Sequence, residues 1–356
     1  MAIQYLSGNR ATGTASDRAG LTVYSAKSWV ELGRTTLTSA GSTIAVEGIT
    51  TTDYDHLMIL SHNIVGSDHN MTYSTGNGSY PSSGNNYCDR RSENGGSDAG
   101  TTNRTDNGII TDAHTKEMFT VGDMANYDGK EKFVIWHSVG HNADGEGNAP
   151  DRFECVGKFT GTSKIDRLKL NNSSSINNEI GSEMIILGAK SSGTDNSQGF
   201  WQELADVELT STANEIDSGT FTAKKYLWVQ LHGVASGSIS GSDLQFNGDT
   251  GSNYARRYSA NGGSDGTATS EATLGGIGTA SGDSFVNWFI INKSDKEKLA
   301  ISSGLANTTG ASNAPDRREI VGKWDNKSDS ITSIKVKENG SGGWTNGTTL
   351  KVWGSD

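Results

Sequence analysis

The chain has 356 residues and a formal net charge of −11, with 33% hydrophobic residues, 46 glycines and 3 prolines. Such an acidic balance excludes nucleic-acid partners, whose binding rests on clustered Lys and Arg neutralising phosphates. The length suits two domains, and no apolar run approaches the roughly 18 residues that a membrane-spanning helix needs.

Residues 1–28, MAIQYLSGNRATGTASDRAGLTVYSAKS, are mostly Gly, Ser, Ala and Thr with scattered apolar side chains. A segment of this kind has no core of its own and stays mobile unless a neighbour holds it. The expectation is an extended N-terminal anchoring arm that adds a strand to another subunit, with Tyr5, Leu6, Asn9, Arg10, Asp17 and Arg18 as its anchors. It lacks the basic start and apolar stretch of a secretory signal, so export by that route is not expected.

From Trp29 onward, short apolar runs punctuate a polar, turn-rich sequence: HLMIL (56–60), KFVIW (132–136), MIIL (184–187), YLWV (226–229) and FVNWFII (285–291). Runs of four to seven rich in Val, Ile, Leu and Trp, bounded by Asn-Gly, Asp-Gly and Gly-Gly, read as strands. Only TDAHTKEMF (111–119) and SDKEKLAIS (294–302) read as a helical turn or two.

The second half repeats the first in the same order. HLMILSH (56–62) matches YLWVQLH (226–232), and NNYCDRRSENGGSD (85–98) matches SNYARRYSANGGSD (252–265). KFVIW aligns with SFVNW, pairing Trp136 with Trp288, and EMIILG (183–188) aligns with TLKVWG (349–354). Ordered self-similarity of this kind marks a duplicated unit. The boundaries expected are an arm at 1–28, a first domain at 29–190, a linker at 191–200 and a second domain at 201–356. Each copy exceeds the ~100 residues of an immunoglobulin-like domain, so an all-β fold of two tandem jelly-roll-like antiparallel β-sandwiches is expected.

The closest repeat is NAPDRFECVGKF (148–159) with NAPDRREIVGKW (313–324). Pro fixes φ and lacks an N–H, which suits a loop leading into a hairpin strand. The alternative is a ligand site containing Asp151, Arg152, Asp316 and Arg317.

Catalytic patterns are not found. Of 7 histidines only His62 and His232 correspond between copies, each at a strand end. No nucleophile elbow, zinc-protease helix or phosphate loop is present. The duplicated acids Glu31/Glu203, Asp98/Asp265, Asp151/Asp316 and Glu154/Glu319 do not by themselves make a glycosidase pair, so a non-enzyme is expected. Cys88 and Cys155 have Ala255 and Ile320 as counterparts; they read as buried free thiols or as a single bridge. No cofactor is expected beyond a weak calcium candidate at Asp144, Glu146 and Asp249 in oxygen-rich loops. A sugar-facing surface would use Tyr87, Tyr254 and Trp344 as platforms beside Asp98 and Asp265.

The run Tyr-Leu-Ser-Gly-Asn-Arg (5–10), followed by Ser-Asp-Arg (16–18), resembles the N-terminal segments of virion structural proteins of tailed marine bacteriophages. The phrase FNGDTGSNYARRYSANG (246–262) is similar to phrases in the same proteins, and the first copy departs from it at STGNGSYPSSGNNYCDRR (74–91). The resemblance implies a homo-oligomeric particle component bound through its arm to other virion proteins. Acidic, loop-rich domains on a short anchor favour a capsid decoration protein. A tail fibre or receptor-binding protein with carbohydrate-binding domains, directed at a host-surface glycan, is the second expectation; it would need a stalk, and no heptad pattern supplies one. A filament-forming surface protein is the third.

Overall fold

The computed structural model describes residues 4–6, 10–12, 29–65, 71–81, 85–104, 108–109, 117–172, 176–190, 199–237, 241–277, 283–306, 314–338, 340 and 342–356. Within the arm, β1 (Gln4–Leu6) and β2 (Arg10–Thr12) form a small antiparallel sheet of their own. Tyr5, Leu6 and Arg10 fall on these two strands; Asn9, Asp17 and Arg18 lie outside the described residues.

The first domain contains β3 (Val30–Thr36), β4 (Thr43–Glu47), β5 (Tyr54–Ile64), β6 (Met71–Gly76), β7 (Tyr87–Glu93), β8 (Ala99–Arg104), β9 (Gly108–Ile109), β10 (Glu117–Ala125), β11 (Lys132–Gly140), β12 (Asp151–Phe159), β13 (Arg167–Asn172) and β14 (Glu183–Lys190). The second contains β15 (Gln202–Glu208), β16 (Glu215–Thr220), β17 (Tyr226–Gly233), β18 (Asp243–Phe246), β19 (Tyr254–Ala260), β20 (Gly266–Glu271), β21 (Ser284–Ile291), β22 (Lys298–Ala306), β23 (Asp316–Trp324), β24 (Ser333–Lys337) and β25 (Thr349–Ser355). An 8-stranded sheet, β3-β14-β5-β10-β11-β12-β7-β8, faces a 4-stranded sheet, β4-β13-β6-β9. The second copy repeats this with β15-β25-β17-β21-β22-β23-β19-β20 over β16-β24-β18. The chain is thus a duplicated pair of jelly-roll-like antiparallel β-sandwiches, and the described residues contain no helix.

Successive side chains on a strand point to opposite faces. On β11, Val134 and Trp136 enter the first sandwich core while Phe133 and Ile135 point outward. The run HLMIL is apolar throughout for a different reason: from Leu57 to Ile64 every residue of β5 is buried, so both faces of that strand are covered. The inner face meets its own small sheet, and the outer face meets the second domain.

Two expectations are corrected. SDKEKLAIS is not helical, because Lys298–Ala306 is strand β22; the residues 117–119 of the other stretch open β10, and 111–116 lie outside the described residues. The match of KFVIW to SFVNW is also displaced by one strand. Sheet order makes β11 the counterpart of β22, and β10 that of β21. Trp288 therefore corresponds to Gly122, and Trp136 to Ser302. A Cβ on Gly122 would lie 2.3 Å from the Trp136 ring, so the indole occupies the same inner space from the neighbouring strand. The two copies fill one cavity from opposite sides of a cross-strand pair.

This register also aligns Lys130-Glu131-Lys132 with Lys296-Glu297-Lys298. Lys132 and Lys298 are both buried and donate to backbone carbonyls: Lys132 to Tyr127, Lys130 and Thr162, and Lys298 to Lys296 and Asn326. An ammonium buried this way replaces water with fixed carbonyl acceptors, which is the condition for tolerating its charge.

Candidate functional site: the contact between the two sandwiches

The outer faces of the two large sheets pack against each other. Leu60, Phe119, Val139 and Leu187 of the first domain join Tyr226, Leu299, Ile301 and Val321 of the second in a single apolar cluster. The Phe119 and Tyr226 rings are 6.2 Å apart. Phe200, at the end of the expected linker, is buried in this seam, and its N–H donates to the Trp29 carbonyl at 2.8 Å.

The repeated sequence lines form the same local contact in each copy, and the first copy's lies in the seam. In the first copy Asn94 Nδ2 donates to Asp151 at 2.8 Å and its Oδ1 accepts from the Arg152 N–H at 2.9 Å. In the second, Asn261 does the same with Asp316 and the Arg317 N–H, both at 2.8 Å. Both asparagines have positive φ, 50° and 51°, at the head of an Asn-Gly-Gly turn, a conformation Asn tolerates better than most residues. The Asn-Ala-Pro-Asp-Arg line and the Asn-Gly-Gly-Ser-Asp turn are therefore two halves of one clasp.

Only the first copy's arginine crosses to the other domain. Arg152 donates to Asp265 through Nη2 at 2.6 Å and Nε at 3.1 Å, and its Nη1 lies 3.3 Å from Glu319 and 2.6 Å from Glu154. Burial opposes the charge on Arg152, but these three carboxylates outweigh it and raise the guanidinium pKa. Burial and the facing Glu154 push Glu319 above the usual carboxylate range. Arg257 of the second domain returns the contact, donating to the Pro150 carbonyl at 2.9 Å with Asp151 3.7 Å away.

Three further carboxylates act as hubs. Glu297 of the second domain is held by His141 Nε2 at 2.7 Å and the Gly145 N–H at 2.9 Å from the first, and by Lys323 of its own domain at 3.1 Å. Burial works against it, yet the His141 hydrogen bond and the neighbouring ammonium hold its carboxyl far below the usual range. Glu183 of the first domain accepts from Lys225 Nζ at 2.8 Å and Tyr226 OH at 2.9 Å. It too is lowered, against its burial, by Lys225 and Thr36. Glu117 lies 3.4 Å from Lys296 and beside His62, and is lowered against burial in the same way.

The sequence-derived candidates fall as follows. Tyr87, Tyr254 and Trp344, expected on a sugar-facing surface, are all buried in the cores. The tyrosine hydroxyls bond the backbone of Thr75 and Phe246, and the Trp344 ring covers Gly233. Asp98 is exposed beside Arg90, whereas its counterpart Asp265 is consumed by Arg152. Asp151 and Arg152 sit in the seam; Asp316 and the largely exposed Arg317 do not.

Of the calcium candidates, Asp144 lies near His141 and Glu297, with oxygens and nitrogen within 4.8 Å of one another. The Lys323 and Lys327 ammonium groups already supply positive charge there, 3.1 and 3.4 Å from Glu297. Glu146 contributes to raising the Asp325 pKa, and Asp249 accepts from the Gly251 N–H, Asn253 and Trp324. Cys88 and Cys155 are free, and burial pushes the Cys155 thiol up to about 12. His141, Glu297, Lys323, Glu183 and Lys225 did not stand out in the sequence; the repeated Lys-Glu-Lys triplet was the available signal for Glu297.

The seam encloses a cavity of about 120 Å³ bordered by Asp123, His137, Glu154 and Glu319. That is below the 300–1,000 Å³ typical of small-molecule sites. What the arrangement does chemically is neutralise buried charges against each other across a domain boundary.

The fold and this seam define a tandem β-sandwich protein whose copies are joined through their large sheets. No protein-family profile matches the chain, and no curated protein sequence does. Among solved structures it is similar to domains LG4-5 of the mouse laminin alpha1 chain, at 12% identity over 93% of this chain and 92% of that one, with a TM-score of 0.20. It is also similar to the LG1-3 region of the laminin alpha2 chain, at 8% identity over 88% and 64%, with a TM-score of 0.19.

Proposed function

We propose that this protein is a non-enzymatic structural component of a bacteriophage particle, with residues 1–28 as its anchor and the joined sandwiches as its projecting body. The observation that carries this reading is how the duplicated motifs are used. Asp151, Arg152, Asp265 and Glu297 are committed to holding one domain on the other, which is scaffold work. The resemblance of Tyr5–Arg10 and Ser16–Arg18 to virion proteins supports the particle setting. Capsid decoration is the first placement, with a tail fibre or receptor-binding role second.

The test is co-sedimentation with empty heads of the phage that encodes the protein. The full chain should pellet with heads, and a variant lacking residues 1–28 should stay in solution with an unchanged β-type circular dichroism spectrum. Equal pelleting of both, or of neither, contradicts this placement.

Glycan binding is a second reading, favoured by a row of partly exposed aromatics on the second domain. Trp228 stacks on Phe289 at 5.6 Å and lies 5.1 Å from Trp353. Partly exposed aromatic faces of this kind are platforms for apolar sugar faces. Loss of glycan retention in Trp228→Ala, with heads still bound, would place recognition there.

A further inference from the structure

The seam is one-sided. The first domain contributes the end of its large sheet that carries Phe119 and Val139, and the second contributes the opposite end, with Leu299, Ile301 and Val321. Register across the sheets makes Phe119 and Val139 the counterparts of Phe285 and Leu305, and Leu299, Ile301 and Val321 those of Phe133, Ile135 and Val156. Each domain therefore keeps a second copy of the surface that the other domain uses. Those unused copies are open. Phe133, Ile135 and Val156 are 56%, 49% and 49% exposed, and Phe285 and Leu305 are 39% and 45% exposed. Each has a counterpart that is 8% exposed or less.

Some of the charges follow the same pattern. Among the ion pairs that cross the seam are Arg152 with Asp265, Arg257 with Asp151, and Lys296 with Glu117; Lys225 with Glu183 and His141 with Glu297 cross it as well. The counterparts of the first three are Arg317 with Asp98, Arg90 with Asp316, and Lys130 with Asp283. Opposite charge is kept in these three, and none of the three counterpart pairs forms within the chain among the described residues; it is not kept for Lys225 and Glu183, whose counterparts are Asp55 and Thr349. The retained apolar surface and these three charge pairs together match what the internal seam uses, and the apolar part is exposed within one chain.

We infer that the free outer face of the second sandwich docks on the free outer face of the first sandwich of another copy of this chain, repeating the internal seam between molecules. A contact between unlike surfaces is heterologous; repeated, it gives a closed ring or an open chain. This goes beyond the particle reading and does not depend on it.

The repeated contact is weaker than the internal one. Leu60, Val121 and Ile185 of the internal seam are replaced on the free face by Gln230, Asn287 and Lys351. The internal pair also gains the high effective concentration of a covalent link, which two separate chains lack. Association is accordingly reversible and rises with protein concentration, and salt weakens it by screening the rim pairs.

Sedimentation velocity over a concentration series tests this with the full chain and two variants, Phe133→Asp and Phe285→Asp. Both positions are exposed, and circular dichroism checks that each variant folds. Wild type should gain mass beyond one chain as concentration rises, and each variant alone should remain a single chain. An equimolar mixture of the two should form one-to-one pairs and nothing larger, because each supplies the face that the other has lost. Wild type that stays a single chain at every concentration overturns the proposal. So do variants that associate like wild type, or a mixture that fails to pair.

Discussion

Arg152 of the first sandwich grips Asp265 of the second with two hydrogen bonds, 2.6 and 3.1 Å long, and both side chains are almost wholly out of water. Its repeat counterpart Arg317 is mostly exposed and, among the described residues, pairs with Glu319 of its own domain, 3.6 Å away. One motif, written twice, therefore has two energetic roles. Removing one partner of a buried pair leaves an uncompensated charge, which costs about 3–5 kcal/mol. Arg152→Ala should lower unfolding stability by about that amount in urea titrations, whereas Arg317→Ala at low protein concentration should stay within about 0.5 kcal/mol.

The seam should have a pH optimum. Glu297, Glu183 and Glu117 sit below their ordinary 4.5 in the folded state, so their stabilisation is complete above about 4.5 and is lost as pH falls through their lowered values. Asp325 runs the other way: burial and the nearby Glu297 raise it to about 6, so its contribution is lost as pH rises through about 6. Urea midpoints should therefore peak between these limits. Asp325→Asn should flatten the alkaline limb and Glu297→Gln the acid limb; limbs unchanged by both would show that other groups set the profile.

The tryptophan exchange between copies makes a sharp packing prediction. Gly122→Trp alone adds an indole where the Trp136 ring already lies, and overpacking of this kind costs about 1–3 kcal/mol or more. Trp136→Ser alone opens a cavity costing about 3–5 kcal/mol. The double variant Gly122→Trp with Trp136→Ser reproduces the Trp288–Ser302 pair of the second domain and should recover much of both losses in a thermal melt.

Lys132 should tolerate no apolar replacement despite its buried position. Lys132→Met leaves the carbonyls of Tyr127, Lys130 and Thr162 without their donor, at about 1–3 kcal/mol. Lys298, which burial lowers to about 8, should show the same sensitivity at neutral pH. A Lys298→Met variant as stable as wild type would mean that the cradle contributes nothing.

Much of the fold was legible in residue patterns. Alternation and turn signals gave strands, and the repeated lines gave two copies. What misled was the assumption that matching tryptophans occupy matching strands: Trp136 and Trp288 fill one cavity from adjacent strands, so side-chain identity pointed one strand away from sheet order. SDKEKLAIS looked helical because Lys and Glu are helix formers, but Lys298 is drawn inward by carbonyls and Leu299 outward by the seam, which is strand periodicity. Trp344 looked exposed because glycines surround it; instead Gly343 runs close to Thr212 and Ala213, and the ring lies over Gly233 in the core. The seam itself was nearly invisible, since Phe133 and Leu299 are similar residues in equivalent places and differ only in whether another domain covers them.

Central to the account is that the seam makes the two sandwiches one cooperative unit. Differential scanning calorimetry of the full chain at low concentration, near pH 5, reads this directly. A single transition whose calorimetric and van't Hoff enthalpies agree is predicted, splitting in Arg152→Ala. Two separate transitions in the unaltered chain, each accounting for about half the enthalpy, would contradict it.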